Sequence, residues 1–135
     1  MPSNWEAMNG NRLFVYGSLK RGCRNHAHMR GAIYRGEAIT APGYLLYLVG
    51  HYPALVVAGE GTVKGELYEV TDEHLERLDV FEGHPDSYRR VSIVLADGLS
   101  VMAYTMGSER ARPEALVCGG SWSEVDGTSR RASQR

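Results

Sequence analysis

Glycine interrupts this sequence so often that few segments are long enough for an extended helix. Sixteen glycines divide the 135 residues into short apolar runs. Short apolar runs bounded by Gly and Pro are typical of β-strands. We therefore expect many short strands joined by tight turns. Such a succession favours a closed or strongly curved sheet with helices packed on it.

Individual strands can be predicted from these runs. Residues 50–53 are expected to break the chain between two of the strands, and Asp97-Gly98 is the strongest hairpin signal. Gly65 lies inside an alternating run, where glycine indicates a bulge or a close approach of another backbone. The predicted strands are residues 13–16, 33–39, 44–49, 54–57, 63–70, 88–96 and 99–106.

One α-helix is clearly indicated in the second half of the chain. Thr71 is a suitable N-cap, and Leu75 and Leu78 lie three residues apart on one helical face. Gly83 and Pro85 are expected to end this helix. A shorter helical turn is predicted over residues 25–29, with Asn25 as its cap.

The charge balance argues against several classes of partner. Lys and Arg total 15 and Asp and Glu total 16, so the formal net charge is −1. This removes the usual electrostatic basis for binding nucleic acid or an anionic membrane. No apolar run approaches the ~20 residues of a membrane helix, and the N-terminus shows no secretory pattern. We expect a cytoplasmic protein that is a monomer or a simple homo-oligomer.

The length and the cysteine and histidine content limit the possible organisation. One domain is predicted over residues 12–122, between a flexible arm (1–11) and a flexible tail (123–135). Two cysteines form neither a disulfide framework nor a zinc site. The five histidines show no metal-ligand spacing, so no metal is expected.

Glu82 is the first candidate for acid–base chemistry. It lies at the predicted C-terminal end of the helix, where the helix dipole disfavours a negative charge and raises a carboxyl pKa, as partial burial would also do. A carboxyl group that titrates near neutral pH can shuttle protons. Phe81 and Gly83 suggest close packing around it, and Tyr88 is a potential phenol partner. An ordinary exposed glutamate is an equally good interpretation of this residue taken alone.

The second candidate is the segment Tyr16-Gly17-Ser18-Leu19, directly after a buried strand. Glycine allows a ligand to approach the backbone closely, and successive N–H groups can bind a carboxylate or an oxyanion. Taken alone, the segment is better interpreted as an ordinary strand-to-loop turn.

Other residues are weaker candidates. Cys23 could act as a nucleophile if Arg21 and Arg24 lower its pKa, although a loop cysteine is more often a bystander. The pairs Lys20-Arg21 and Arg89-Arg90 could hold an anionic substrate, but most such pairs are solvated.

Several motifs occur in order along residues 12–122. They include Tyr-Gly-Ser-Leu-Lys-Arg-Gly at 16–22 and Glu-Gly-x-Pro-x-x-Tyr-x-Arg at 82–90, with further segments at 41–47, 52–54, 63–70, 101–104 and 121–122. The ordered set resembles the γ-glutamylcyclotransferase superfamily. It is most similar to the γ-glutamylamine cyclotransferase branch and its antibiotic-biosynthesis relatives.

The resemblance implies an α+β fold, a compact mixed β-barrel with a few packed helices. It implies that a γ-glutamyl amide closes to 5-oxoproline and releases an amine, without metal or cofactor. On this resemblance, Glu82 takes the position of the family's general acid/base. Tyr16, Gly17, Ser18 and Leu19 are expected to form the oxyanion or carboxylate site, and Tyr88 to orient the substrate or Glu82.

Two questions stay open from the sequence. A non-catalytic small-molecule binding protein of the same fold is the alternative, although the presence of Glu82 argues against it. The identity of the leaving amine is also undetermined. Residues 51–53, 84–87 and Arg89 are expected to line the mouth of the site.

Overall fold

Seven short strands and one α-helix account for most of the regular structure of residues 11–123. The computed structural model describes residues 11–123. The arm and tail predicted for residues 1–11 and 123–135 therefore lie, apart from one residue each, outside the described range. The elements are β1 (Arg12–Val15), β2 (Ile33–Ile39), β3 (Tyr44–Val49), β4 (Tyr52–Val57), β5 (Lys64–Glu69), α1 (Asp72–Glu82), β6 (Arg89–Val94) and β7 (Ser100–Thr105), with single-turn 3-10 helices between and after them.

The strands form one mixed, strongly twisted sheet in the order β2-β5-β1-β7-β4-β3. β6 pairs along one whole edge of β7, so β1 and β4, both parallel to β7, share its other edge. An isolated bridge between Thr40 and Leu95 brings the end of β2 to the end of β6. The predicted α+β fold is confirmed, although the sheet is barrel-like rather than closed by a continuous ladder.

The strand predictions are largely confirmed, with one correction at the β3–β4 hairpin. Tyr52 and Pro53 belong to β4 and pair with Val49 and Leu48, so they do not break the chain. The Pro53 carbonyl faces away from β3, because it accepts a hydrogen bond from the Tyr88 hydroxyl. The nitrogen of a strand residue points to the same side as its carbonyl, so the missing N–H costs the β3–β4 ladder nothing.

The ends of α1 follow the predicted local signals. The Thr71 hydroxyl accepts a hydrogen bond from the His74 N–H at 3.0 Å, which confirms the N-cap. Gly83 ends the helix in the left-handed region at φ 70°, and its N–H donates to the carbonyls of Asp79 and Val80. This fixed end determines the direction in which the chain leaves Glu82.

The core lies on both faces of β1. Phe14 packs in a cluster with Leu55 and Trp122, whereas Leu13 and Val15 pack on the other face. Leu75 and Leu78 of α1 complete this second cluster. Because successive strand residues alternate in direction, β1 is buried on both sides. Its C-terminal end is thereby held in the middle of the molecule.

Gly65 marks a close backbone approach, as predicted, rather than a bulge. A Cβ atom at this position would meet the Val15 carbonyl oxygen and would lie 2.8 Å from the Phe14 ring. The register irregularity of this part of the sheet lies on β2, between Tyr34 and Gly36. Only glycine allows β5 and β1 to approach this closely.

We predict that Gly65→Ala destabilises the protein by about 1–3 kcal/mol or more, because the added methyl group overpacks the β1–β5 contact. Urea unfolding measures the difference. Lys64→Ala, an exposed position on the same strand, is the control and should change stability by less than about 0.5 kcal/mol. Equal effects of the two substitutions would contradict this account of Gly65.

Candidate active site

A cavity of about 490 Å³ opens at the fork where β1 ends and β4 begins to pair with β7. Six residues singled out from the sequence line it together: Tyr16, Gly17, Ser18, Leu19, Glu82 and Tyr88. Tyr52 and Pro53 of β4, Phe81 of α1 and Ser87 complete much of the wall, with Asn25, Val49, Tyr104 and Met106. Residues far apart in the sequence therefore share one concave site.

The segment from Gly17 to Leu19 is held through its carbonyl groups. The Gly17 and Ser18 carbonyls accept from the N–H groups of Lys20 and Asn25, each at 3.0 Å, and the Leu19 carbonyl lies 2.8 Å from Nδ1 of His26. The N–H groups of Gly17, Ser18 and Leu19 donate to no acceptor among residues 11–123. Three backbone donors at the cavity wall therefore remain available to a ligand.

Close packing against β4 explains the glycine in this segment. A Cβ atom at Gly17 would lie 2.7 Å from the Pro53 ring. Asn25 occupies the predicted N-cap position of the short 3-10 turn His26–Met29, but its side chain makes no capping hydrogen bond and donates to the Ser18 hydroxyl at 2.8 Å instead. Asn25 instead fixes the Ser18 side chain at the wall of the cavity.

Tyr16 is buried, and its hydroxyl is occupied on both sides. It donates to the Tyr104 carbonyl at 2.5 Å and accepts from the Leu55 N–H at 3.1 Å. Burial raises its pKa, so the phenol stays protonated. Its ring forms part of the wall, and its hydroxyl joins the strands at the fork.

Glu82 is the last residue of α1, and its carboxyl group is half-buried in the cavity wall. Burial raises its pKa from 4.5 to about 7. The predicted direction of the shift thus agrees with the structure, and desolvation is its cause. Within the described chain, no hydrogen bond uses this carboxylate. Such a group can exchange a proton with a ligand near neutral pH.

The neighbouring Phe81 does not provide the close packing expected from the sequence. Its side chain is 38% exposed and stacks on His28 with ring centroids 4.0 Å apart. It therefore forms an aromatic rim beside Glu82 rather than part of the core.

Tyr88 lines the same cavity as Glu82. Its hydroxyl donates to the Pro53 carbonyl at 2.7 Å, and its N–H donates to the Glu82 carbonyl at 3.2 Å. Burial and then the Glu82 charge raise the pKa of the phenol, which stays neutral. Tyr88 is thus tied to the Glu82 backbone and to β4, and its hydroxyl oxygen can still accept a hydrogen bond.

The basic residues considered as anion sites lie elsewhere. Lys20 donates to the Trp122 carbonyl, Arg21 stacks on the ring of Tyr34, and Arg90 pairs with Asp79. Of the residues described, no Lys, Arg or His lines the cavity. The backbone donors are therefore the main electropositive groups of this wall.

Of the other sequence candidates, some line the cavity and others do not. Cys23 packs against the cluster around Phe14 and does not line the cavity. At the expected mouth, Tyr52, Pro53 and Ser87 line the cavity, whereas residues 51, 84–86 and 89 do not. Tyr104 lines the cavity but was not a site candidate from the sequence; it hydrogen-bonds Tyr16 and Asp79, which are distant in the chain.

No group of three or more His, Cys, Asp or Glu side chains suited to a metal ion occurs within residues 11–123. Over the same residues, no helix has the length and apolar character needed to cross a membrane.

Comparisons with known proteins agree with this geometry. The family model described as gamma-glutamyl cyclotransferase, AIG2-like, matches residues 13–124. A Vibrio cholerae protein provisionally named gamma-glutamylcyclotransferase is 37% identical over 111 residues, covering 82% of this chain and 93% of that protein. A Rattus norvegicus gamma-glutamylaminecyclotransferase is 40% identical over 90 residues, 60% of each chain. The crystal structure of a Mus musculus AIG2-like protein has a TM-score of 0.71 at 32% identity, covering 84% of this chain and 88% of that one.

We predict that Glu82→Gln makes the protein more stable above pH 7. The folded-state pKa of about 7 lies above the ordinary value of 4.5, so ionisation of Glu82 costs stability as the pH rises through this interval. The variant lacks this cost and should gain roughly 1–3 kcal/mol at pH 8, a range that allows for partial exposure. The gain should vanish by pH 4.

Urea unfolding at both pH values measures this gain. Glu76→Gln, at an exposed position on α1, is the control and should show no comparable pH-dependent gain. A Glu82→Gln gain that is equal at pH 4 and pH 8 would show that Glu82 is not a desolvated acid.

Proposed function

The chain belongs to the AIG2-like γ-glutamylcyclotransferase family, and on that premise we propose that it converts a γ-glutamyl amide into 5-oxoproline and a free amine. One observation carries the proposal. A half-buried carboxyl group with a pKa of about 7 lines the same cavity as Gly17, Ser18 and Leu19, whose backbone N–H groups have no acceptor among residues 11–123. A cytoplasmic location and a monomeric or simple homo-oligomeric state stay predictions of the sequence.

Proton transfer is the role proposed for Glu82. The α-amine of a γ-glutamyl amide is protonated at neutral pH and cannot attack until it loses a proton. The ionised Glu82 carboxylate accepts this proton, and the amine nitrogen then adds to the γ-carbonyl carbon of the same molecule. Since the nucleophile belongs to the substrate, the enzyme mainly has to hold a folded conformer of it.

Collapse of the tetrahedral intermediate completes the reaction. The N–H groups of Gly17, Ser18 and Leu19 stabilise the negative oxygen. Protonated Glu82 donates to the departing nitrogen while the carbon–nitrogen bond breaks. Overall, two protons leave the α-nitrogen and two reach the leaving amine. The carboxyl group therefore acts as base and acid without being consumed.

The cavity also indicates the class of amine. Val49, Phe81 and Met106 contribute apolar and aromatic wall, and no described lining residue is basic. A carboxylate on the leaving group would find no cation there and would face Glu82. Together with the relative named gamma-glutamylaminecyclotransferase, this favours γ-glutamylamines over γ-glutamyl amino acids.

Replacing the proposed proton carrier tests the mechanism. Glu82→Gln should lower 5-oxoproline release by ~10²–10⁴-fold, because the amide cannot carry a proton. In the unmodified protein, kcat/KM should fall below pH 7 as Glu82 becomes protonated. Glu76→Gln should retain activity.

The outcomes separate the alternatives. Full activity of Glu82→Gln would eliminate the mechanism. Ligand binding without 5-oxoproline release by the unmodified protein would support the non-catalytic alternative. Loss of activity on alkylation of Cys23, with Glu82 intact, would support a cysteine-dependent enzyme instead.

A matched pair of substrates tests the amine class. γ-Glutamyl-phenethylamine and γ-glutamyl-phenylalanine differ only in the carboxylate beside the amide nitrogen. We predict a kcat/KM roughly tenfold or more higher for the phenethylamide, because an unpaired carboxylate is poorly accommodated in this cavity. Equal or reversed kcat/KM values would overturn the substrate class and leave the ring-closing reaction intact.

A further inference from the structure

We propose that Tyr104 is a positioning residue that holds the two halves of the active site at a fixed separation. The inference rests on the proposed function. One half is the donor segment Gly17–Leu19 after β1, and the other is Glu82 at the end of α1. Tyr104 lies on β7. It is hydrogen-bonded toward the donor segment through its carbonyl and toward α1 through its hydroxyl.

The first connection uses the backbone of Tyr104. Its carbonyl accepts the hydrogen bond from the Tyr16 hydroxyl at 2.5 Å. Tyr16 directly precedes Gly17, and its hydroxyl also accepts from the Leu55 N–H. The start of the donor segment is thereby attached to both β7 and β4.

The second connection uses the Tyr104 side chain. Its hydroxyl donates to Oδ1 of Asp79 at 2.7 Å, and Asp79 lies three residues, about one turn, before Glu82. Arg90 of β6 holds the same carboxylate with two hydrogen bonds, at 2.8 and 2.9 Å. The final turn of α1 is therefore fixed to β6 and β7 by three hydrogen bonds.

The electrostatics distinguish the two carboxyl groups of this turn. The guanidinium of Arg90 lowers the pKa of Asp79, so Asp79 stays charged and remains an acceptor. Glu82 has no such partner among the described residues, and burial raises its pKa. Asp79 thus serves as the anchor of the helix end, and Glu82 is left to titrate.

The proposed reaction requires Glu82 and the Gly17–Leu19 segment to be held at a fixed separation. No described hydrogen bond joins the Gly17–Leu19 segment directly to Glu82. Tyr88 links the Glu82 backbone to Pro53, and Leu19 packs in one cluster with Leu78 of α1. The two hydrogen bonds made by Tyr104 add the connection that runs through the final turn of α1 and β7. Misplacement of a catalytic group by about 1 Å can cost on the order of 10²-fold in rate. Loosening the helix end would also let Glu82 move toward water.

Tyr104→Phe isolates the second connection, because it removes the hydroxyl and leaves the carbonyl bond to Tyr16. We expect kcat to fall about 10–100-fold with KM changed less than about threefold. The lower pKa of the pH profile should move from about 7 toward 4.5. The matched control is Tyr68→Phe, since Tyr68 is also buried and its hydroxyl donates to a carboxylate, Glu66, outside the cavity.

A double-variant cycle tests whether Tyr104 acts through Asp79. Asp79→Asn removes the charged acceptor, and the loss of kcat in the combined variant should not exceed the larger single loss. If the kcat losses of the two single variants multiply in the combined variant, Tyr104 does not act through Asp79. A raised KM at constant kcat would make Tyr104 a substrate contact instead. Unchanged kcat and pH profile in Tyr104→Phe would overturn the proposal outright.

A carboxyl titration by NMR separates this proposal from the reaction itself. Glu82→Gln assigns the signal, and the Glu82 pKa is then compared between the unmodified protein and Tyr104→Phe. A lower pKa in the variant supports positioning even if no γ-glutamyl amide is cleaved, an outcome that would defeat only the proposed function. An unchanged pKa counts against positioning whatever the activity.

Discussion

The hydroxyl of Tyr16 is the interaction on which this architecture depends. β1 and β4 share one edge of β7, so backbone groups at their junction cannot all be paired by the ladder. The phenol satisfies two of them, the Leu55 N–H and the Tyr104 carbonyl. Because buried polar groups without partners are costly, this contact stabilises the fork. The cavity is the space that the diverging strands leave open.

The cavity combines a stability cost with a chemical advantage. Glu82 is half-buried with no cationic partner in the described part of the chain, and this burial raises its pKa to about 7 and disfavours its charged form. The same desolvation matches the carboxyl group to proton transfer near neutral pH. Asp79, one turn earlier, is paired with Arg90 and is held ionised. Two acids on one helix thus differ because only one has a cationic neighbour.

Local sequence signals predicted most of the helix and strand positions but not which strands and side chains contact one another. Thr71 and Gly83 identified the ends of α1, and Asp97-Gly98 identified the hairpin, because caps and turns depend on adjacent residues. The prediction that the chain breaks at Pro53 is wrong. A strand tolerates proline where the proline nitrogen points away from the neighbouring strand, and the sequence does not show which way it points. Asn25 lies at the predicted N-cap position, but its side chain does not cap the turn. The Asn25 side-chain amide donates to the Ser18 hydroxyl instead, and this contact cannot be predicted from the residues next to Asn25.

The sequence by itself determined the segments, the family resemblance and the candidate residues Gly17–Leu19, Glu82 and Tyr88. These follow from residue types and their order along the chain. Only the tertiary structure decided that these residues line one cavity, that Glu82 is half-buried and desolvated there, and that Tyr104 hydrogen-bonds both Tyr16 and Asp79. Desolvation and hydrogen bonding depend on neighbours that folding brings together from distant positions, so no local pattern contains them.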